Sequence, residues 1–399
     1  MIEINPEKIK KTEIVVGVPS FNEADSIAFV TKQVDKGLQK YFSRKTAVII
    51  NSDNHSPDNT GEVFLQTKTK TPKIYISTPA GQRGKGNNLR NLFLKIKDLK
   101  ASASITVDAD LKSITPQWVK YLLEPIVSDY DFITPIYLRH KYDGSITNHL
   151  TYPLIYGLLG YNIRQPIGGD MSFSKRMTEY WLQQKWPATA KGYGIDIFMT
   201  LNAIKSGFKL GQVDLGSKIH KSSVPKLDKM FLEVTETLFS FLSVNKDLWL
   251  RKINLKTPSL FRQVNRRTQL PKFKIDYKKI KKAALTDFPN NYKPIKKYIS
   301  PEIQKSLEKM FLREKSLEIN VALWAKIVFQ MLYLYQADSN KKSIIKLLRT
   351  LYFGRMASAI KENHDKTHAQ AEKLIQNQAK HFFEARDYLF CQYGKTSDS

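Results

Sequence analysis

The sequence predicts an α/β fold, an open and mostly parallel sheet flanked by helices, followed by a mainly helical region. Three observations predict it. Short apolar, β-branched runs alternate with amphipathic stretches through about the first hundred residues. Several of these runs close on polar or acidic clusters, as strands do where their carboxyl ends border a ligand crevice. Beyond residue 226 the strand-like runs cease, and apolar residues recur at helical intervals.

The elements follow in order. "EIVVGVPS" (13–20) is a buried strand. "NEADSIAFVTKQVDKGLQKYF" (22–42) has helical spacing, with Asn22 as N-cap and acids in the first turn. "TAVIIN" (46–51) is the second strand, and "SPDNTGEVFLQT" (56–67) starts a helix with Ser56 as N-cap and Pro57 at its first position. "KIYIST" (73–78), the helix in "NNLRNLFLKIKDL" (87–99) and the strand "ASITVDAD" (103–110) complete a β-α-β-α-β-α-β series. Thr115-Pro116 then opens another helix. The expected division is an α/β domain over residues 1–225, in halves 1–110 and 111–225. A helical region over 226–399 follows, with a basic, Pro-broken connector at 251–300.

At 399 residues, 42% hydrophobic and 25% charged, the chain has the composition of a folded protein rather than a disordered one. The opening "MIEINPEKIKK" has no apolar core of a secretory leader, and the most apolar window (319–335) carries Asn320, Lys326 and Gln330. The single Cys391 excludes an intrachain disulfide and a thiolate metal cluster, and a reducing cytoplasm is the expected compartment. The formal charge of +27 is concentrated. Residues 251–297 hold fifteen Lys and Arg against Asp276 and Asp287, a net of +13. Such a run suits a solvated surface first, then a weak contact with anionic membrane, then nucleic acid. Aromatics interleave with it (Phe261, Phe273, Tyr277, Tyr292), but no nucleic-acid-binding motif accompanies them, so no nucleic acid is expected as partner.

The sharpest chemical signal is "SITVDADLKSITP" (104–116). In extended chain, side chains two apart share a side, which sets Asp108 beside Asp110 with the small Ala109 between them. Paired carboxylates repel and raise one another's pKa, and a divalent cation relieves this. Hard oxygen ligands of this kind suit Mg²⁺ or Mn²⁺ shared with diphosphate oxygens.

Four blocks carry a family resemblance: "VPSFNEADSI" (18–27); "SDNHSPDNTGE" (52–62); "GKGNNL" (84–89) with "VDADLKSITPQW" (107–118); and "RQPIGGDMSFSKR…GYGIDIF…VDLGSKIH" (164–220). In these the chain resembles GT-A glycosyltransferases, and among them the retaining glucosyl-3-phosphoglycerate and mannosylglycerate synthases, over roughly residues 12–240. The resemblance implies a nucleotide-sugar site of Pro19, Glu23, Asp53, Lys85, Asp108, Gly168 and Gly169, with Glu23 and Asp53 on ribose and base. Asn54 replaces the usual second acid of the pair at 53–54. It implies a metal held by Asp110 and His220, and catalytic roles for Asp108, Lys85, Asp170 and Asp196. Lys85 would meet the diphosphate as a point charge, and Asp196 would orient the acceptor or the loop of His220. Asp170 stands where the family has Glu, facing the transferred sugar, which leaves glucose or mannose open.

Arg139, Asp143 and Thr147, at four-residue steps, match the residues that hold an acceptor acid in this subgroup. Phosphoglycerate users carry Arg where this chain has Ser145, so the expected acceptor is glycerate or a similar small hydroxy-acid rather than 3-phosphoglycerate. Two stereochemical routes are open. Inversion needs a carboxylate base, for which Asp170 is the candidate; retention lets a departing phosphate oxygen take the proton. The resemblance favours retention. The expected function is hexose transfer in the synthesis of a compatible solute, by a homodimer paired through its helical region. The alternatives are a peripheral-membrane transferase acting on an envelope lipid or polysaccharide, and a basic nucleic-acid-binding protein.

Overall fold

The computed structural model describes residues 2–394 other than 80, 223, 263–269, 271–272, 274 and 338–339. It divides into two compact units. The first comprises residues 1–138, 165–226 and 258–270; the second comprises 139–164, 227–257 and 271–399.

The first unit is built on a nine-stranded sheet among the described residues. Its strands are β1 (Ile2–Ile4), β2 (Ile14–Ser20), β3 (Ala47–Asp53), β4 (Lys73–Ser77), β5 (Ala103–Thr106), β6 (Phe132–Leu138), β7 (Met171–Ser174), β8 (Leu210–Ser217) and β9 (Ser259–Leu260). They lie in the order β1-β4-β3-β2-β5-β7-β6-β8-β9. β4, β3, β2 and β5 are parallel, β7 is antiparallel to both β5 and β6, and β8 is parallel to β6.

The continuous apolar runs are explained by burial on both faces, as parallel sheets require. Val16, Val18, Ile49 and Ile105 pack on Val30, Val34, Trp118 and Leu122. On the other face Val15, Val48, Ile50 and Ile74 pack on Leu92, Phe93, Phe173 and Trp181. Adjacent residues of one strand thus serve opposite cores. Each fully buried aliphatic or aromatic chain contributes roughly 1.5–3 kcal/mol.

Several boundaries differ from the sequence reading. The first helix begins at Ile27, after Ser26 and not Asn22, and the second at Thr60, after Asn59 and not Ser56. The strand expected to reach Asp110 stops at Thr106, so Asp108 and Asp110 stand on the loop beyond it. Thr115 precedes the helix Pro116–Val127 in extended conformation, but its side chain makes no capping hydrogen bond.

The second unit is helical. Residues 139–164, expected in the α/β domain, belong to it, and several of their polar groups find partners there. π-Helical turns at Thr147–Thr151 and Ile155–Leu159 disturb the usual ladder. Gln378 donates to the Asn148 carbonyl at 2.6 Å, and Trp324 to that of His149 at 2.6 Å. Lys141 donates to the carbonyls of Asn363, His364 and Lys366, ending the helix Lys341–Glu362. Arg164 pairs with Glu372 at 2.7 Å. The expected connector at 251–300 is not a plain linker. It contains the helix Tyr277–Tyr292, capped by Asp276 and anchored by a buried stripe of Ala284, Phe288 and Tyr292. Phe288 stacks on Phe311 at 4.2 Å. Arg266, Arg267, Lys272 and Lys274 of the basic run lie outside the described residues. No helix among the described residues is long and apolar enough to cross a membrane.

Candidate active site

The parallel strands β2, β3 and β5 end together, and the polar residues beyond them form the candidate site, where an open α/β sheet binds its ligand. Pro19 lies within β2. Glu23 follows it, only 9% exposed, and accepts from Ser26 Oγ at 3.0 Å and Lys221 Nζ at 2.7 Å. Burial, and then Asp110, push the Glu23 carboxyl up despite Lys221.

Asp53 is the last residue of β3. It is fully buried, and its carboxylate accepts from Ser20 Oγ (2.8 Å), Ser56 N (2.7 Å), Ser56 Oγ (2.6 Å) and Tyr75 Oη (3.2 Å). These four hydrogen bonds, from Ser20, Ser56 and Tyr75, fix the loop beyond β3. Asn54 accepts from the Gly84 N–H at 3.3 Å, and so ties this loop to the start of the helix Lys85–Asp98.

Lys85, at the head of that helix, donates to Asp196 at 3.2 Å and lies 3.5 Å from Asp108 Oδ1. Burial works against its charge, but Asp108 and Asp196 raise its pKa well above the ordinary value. Asp196, in the first turn of the helix Ile195–Ser206, therefore orients Lys85. Its own carboxyl is raised, by burial first.

Asp108 sits between two lysines. Lys218 Nζ donates to its Oδ2 at 2.8 Å, and Lys85 faces its Oδ1. Burial opposes ionisation, but Lys218 and Lys85 together hold the carboxyl far below the carboxylate range. Asp110 is the opposite case, raised by burial and then by Asp108, with His220 acting against this.

Three main-chain ties bring His220 to these carboxylates. Lys112 N donates to the Ile219 carbonyl (2.8 Å), Ile219 N to Ser113 Oγ (2.9 Å) and Lys221 N to Asp110 Oδ2 (3.1 Å). The segment beyond β8 is thereby laced to the turn beyond β5, with His220 between the two residues that carry the laces and within electrostatic reach of Asp108 and Asp110.

Gly168 and Gly169 form the loop over Asp108. Gly169 has φ +82°, and a Cβ there would collide with the Asp108 carboxylate. Thr106 Oγ1 fixes the loop by donating to the Gly169 carbonyl at 3.0 Å. Asp170 follows Gly169, just before β7. It is fully buried and accepts from Asp108 N (2.9 Å), Lys218 Nζ (2.7 Å) and the Tyr137 hydroxyl. Protein donors already occupy the carboxylate, so it is poorly set up as a base for an incoming hydroxyl.

Arg139, Asp143 and Thr147 belong to the second unit. Arg139 Nη1 pairs with Asp143 Oδ2 at 3.0 Å, Asp143 Oδ1 accepts from Gly144 N at 2.7 Å, and Thr147 is 4% exposed.

Sequence reasoning missed Lys218 and Lys221. The signal was "SKIHK", two lysines bracketing the candidate ligand histidine, which has no contrast in a chain of 64 Lys and Arg.

The residues fit a divalent ion. Asp110 accepts one hydrogen bond among the described residues, from a main-chain N–H, and lies within electrostatic reach of His220 and of a second carboxylate, Asp108. Among the described residues no group of three or more His, Cys, Asp or Glu is arranged to hold a metal, so protein would supply part of a coordination shell only.

Residues 15–180 match glycosyl transferase family 2. No curated protein matches the chain by sequence. Similar solved structures include Mycobacterium tuberculosis glucosyl-3-phosphoglycerate synthase in complex with Mn²⁺, UDP and glucosyl-3-phosphoglycerate. That structure is 22% identical with a TM-score of 0.47, over 58% of this chain and 80% of that one. The same enzyme with Mg²⁺ and UDP is 21% identical at a TM-score of 0.47, over 58% and 79%. A further mycobacterial protein is 23% identical at 0.47, over 58% and 74%. Residues 15–180 thus match a glycosyl transferase family 2 domain, and they supply strands β2 to β7 of the open α/β sheet.

Proposed function

We propose that the chain is a metal-dependent, retaining hexosyltransferase. It would move glucose, or mannose, from a nucleoside-diphosphate sugar to glycerate or a related small hydroxy-acid. The lacing of Ile219–Lys221 onto Asp110–Ser113, which brings His220 within electrostatic reach of Asp108 and Asp110, is the observation that supports this reading.

Asp110 and His220 would hold Mg²⁺ or Mn²⁺, which when bound offsets negative charge on the leaving diphosphate. Glu23, near Asp110, would accept from the nucleoside. Lys85, kept protonated by Asp108 and Asp196, would meet the diphosphate as a fixed positive charge. Asp108, ionised between two lysines, is an acceptor for sugar or ribose hydroxyls. The burial of Asp170 under three donors supports retention, because it leaves the inverting route without its candidate base. On the retaining route the acceptor's proton passes to the departing phosphate oxygen as the new glycosidic bond forms on the same face. In the second unit, Arg139 with Asp143, next to Thr147, is the acceptor group implied by the resemblance.

The test is a panel of UDP-, GDP- and ADP-sugars with Mg²⁺ or Mn²⁺, scored by released nucleotide with glycerate and with 3-phosphoglycerate, followed by NMR of the product. An α-linked hexosyl glycerate is expected. A β-linked product from an α-donor refutes retention, and a strong preference for the phosphorylated acceptor refutes glycerate.

One observation favours a second reading, a transferase resting on anionic membrane. Lys278, Lys279, Lys282, Lys293 and Lys297 are all exposed along and just beyond the helix Tyr277–Tyr292. The nearby acids are already used, Asp276 as helix cap and Asp287 in a pair with Arg349. Each lysine is worth about 1 kcal/mol at an anionic leaflet. Co-sedimentation with phosphatidylserine vesicles that is lost at high salt would support it; recovery in the supernatant at moderate salt would dismiss it.

A further inference from the structure

Lys218 has no part in the sequence-based picture of the site, yet it is among the most enclosed charges in the first unit, its side chain 3% exposed. Its Nζ donates to Asp108 Oδ2 at 2.8 Å, Asp170 Oδ2 at 2.7 Å and the Gly168 carbonyl at 2.7 Å. An ammonium has three donors, and these acceptors match all three. They come from two separate segments: the loop after β5, and the loop at 168–170 just before β7. Lys218 itself extends from the end of β8. The Asp108 main-chain N–H closes the ring by donating to Asp170 Oδ1 at 2.9 Å. Asp108 is therefore gripped through both its backbone and its carboxylate. Asp110 and His220 are held by a different set of contacts, the main-chain laces between 110–113 and 219–221.

We infer that Lys218 is a positioning residue that acts through Asp108, fixing that carboxylate against the donor and leaving the grip of Asp110 and His220 on metal to the separate laces. The inference rests on the donor-site reading above. Because the two sets of contacts are distinct, it predicts that turnover and metal binding separate. Asp170 is the complication. Removing Lys218 alone strands a buried carboxylate, a change that destabilises proteins strongly. The informative variant therefore pairs Lys218→Met with Asp170→Asn, so that charge and counter-charge leave together.

The experiment measures melting temperature, Mn²⁺ affinity, and kcat and KM for the donor sugar in wild type, Lys218→Arg, Lys218→Met/Asp170→Asn, Asp108→Asn, and the triple variant with Asp108→Asn. The paired variant should melt near wild type and bind Mn²⁺ within about threefold. Its kcat should fall about a hundredfold with donor KM little changed, the usual scale for a misplaced catalytic group. Lys218→Arg should restore much of kcat. In the Asp108→Asn background the paired change should add almost nothing, since a residue acting through Asp108 has nothing left to position. The inference is overturned if kcat survives in the paired variant, if Mn²⁺ affinity falls in step with kcat, or if the paired change costs as much without the Asp108 carboxylate as with it. If wild type turns over no sugar nucleotide, the donor-site reading falls first, and the inference with it.

Discussion

Replacing Gly169 by alanine should remove activity far more than it removes stability, and Gly207 supplies a matched control. Both glycines have positive φ, +82° and +70°. An alanine in that region costs roughly 1–2 kcal/mol of backbone strain at either position. The two sites differ in what the new methyl meets. At Gly207, just past the helix Ile195–Ser206, no atom lies within 4 Å of it. At Gly169 it falls on both oxygens of Asp108, 2.6 Å from Oδ1 and closer to Oδ2. Asp108 cannot swing aside without leaving Lys218 or Lys85, which hold its two oxygens. A displacement of about 1 Å at such a group costs on the order of a hundredfold in rate. Both variants should lose a few degrees of melting temperature, at about 2–4 °C per kcal/mol for units of this size. Only Gly169→Ala should lose about two orders of magnitude in kcat. Thermal melting alongside donor-sugar turnover makes the comparison. Equal activity in the two variants would refute the argument that the loop's close approach to Asp108 matters for the chemistry.

Further consequences concern charge burial. The His149 imidazole lies in the second unit, where burial, with Arg355 and Arg164 nearby, pulls its pKa down to about 3. The unfolded chain, near 6.5, binds the proton that the folded state refuses between those values. Stability from this site is therefore complete above about pH 6.5 and is lost as pH falls, by up to about 1.4 kcal/mol per unit. Denaturant titrations at pH 7 and pH 5 should show His149→Asn to be less acid-sensitive than wild type, and an unchanged pH slope would contradict this. Asp170→Asn keeps the shape but leaves Lys218 without one of its carboxylates. It should lower the melting temperature and slow transfer without changing the product anomer; an abolished reaction in a fully stable variant would revive Asp170 as a base. Lys221 bridges Glu23 at 2.7 Å and Asp25 at 2.8 Å from a partly exposed position. Lys221→Ala should cost under about 1 kcal/mol of stability while changing the Kd for UDP measured calorimetrically, and an unaltered Kd would separate Lys221 from the nucleotide.

The sheet was legible because its central strands are buried on both faces and so read as unbroken apolar runs, "IVVGV" and "AVII" among them. Helix starts were less legible for a tertiary reason. Asn22 and Ser56, which look like caps, are used across two loops: Asn22 N donates to Ser56 Oγ at 2.9 Å, while Ser56 is bound to Asp53. Asn22 and Asn59 also adopt positive φ, delaying both helices. That His220 approaches Asp110 was expected from motif order, but the hydrogen bonds that tie the two segments have main-chain donors that no residue pattern announces. For Asp53 and Asp170 the motif gives the position of the acid but not its partners, the hydroxyls and the lysine that reach it from distant segments. Residues 139–164 carry helical spacing, yet spacing cannot tell which unit receives the helix; Trp324 and Gln378, almost two hundred residues on or more, decide it.

The central claim is that one divalent ion joins Asp110 and His220 at the donor diphosphate. The most direct measurement is anomalous diffraction from crystals soaked with Mn²⁺ and UDP. The account predicts a single manganese peak within about 2.1 Å, a bonding distance for such ions, of an Asp110 carboxylate oxygen and a His220 ring nitrogen, with diphosphate oxygens completing the shell. A peak bound elsewhere, or nucleotide bound in the crevice with no ion between those two side chains, would contradict it.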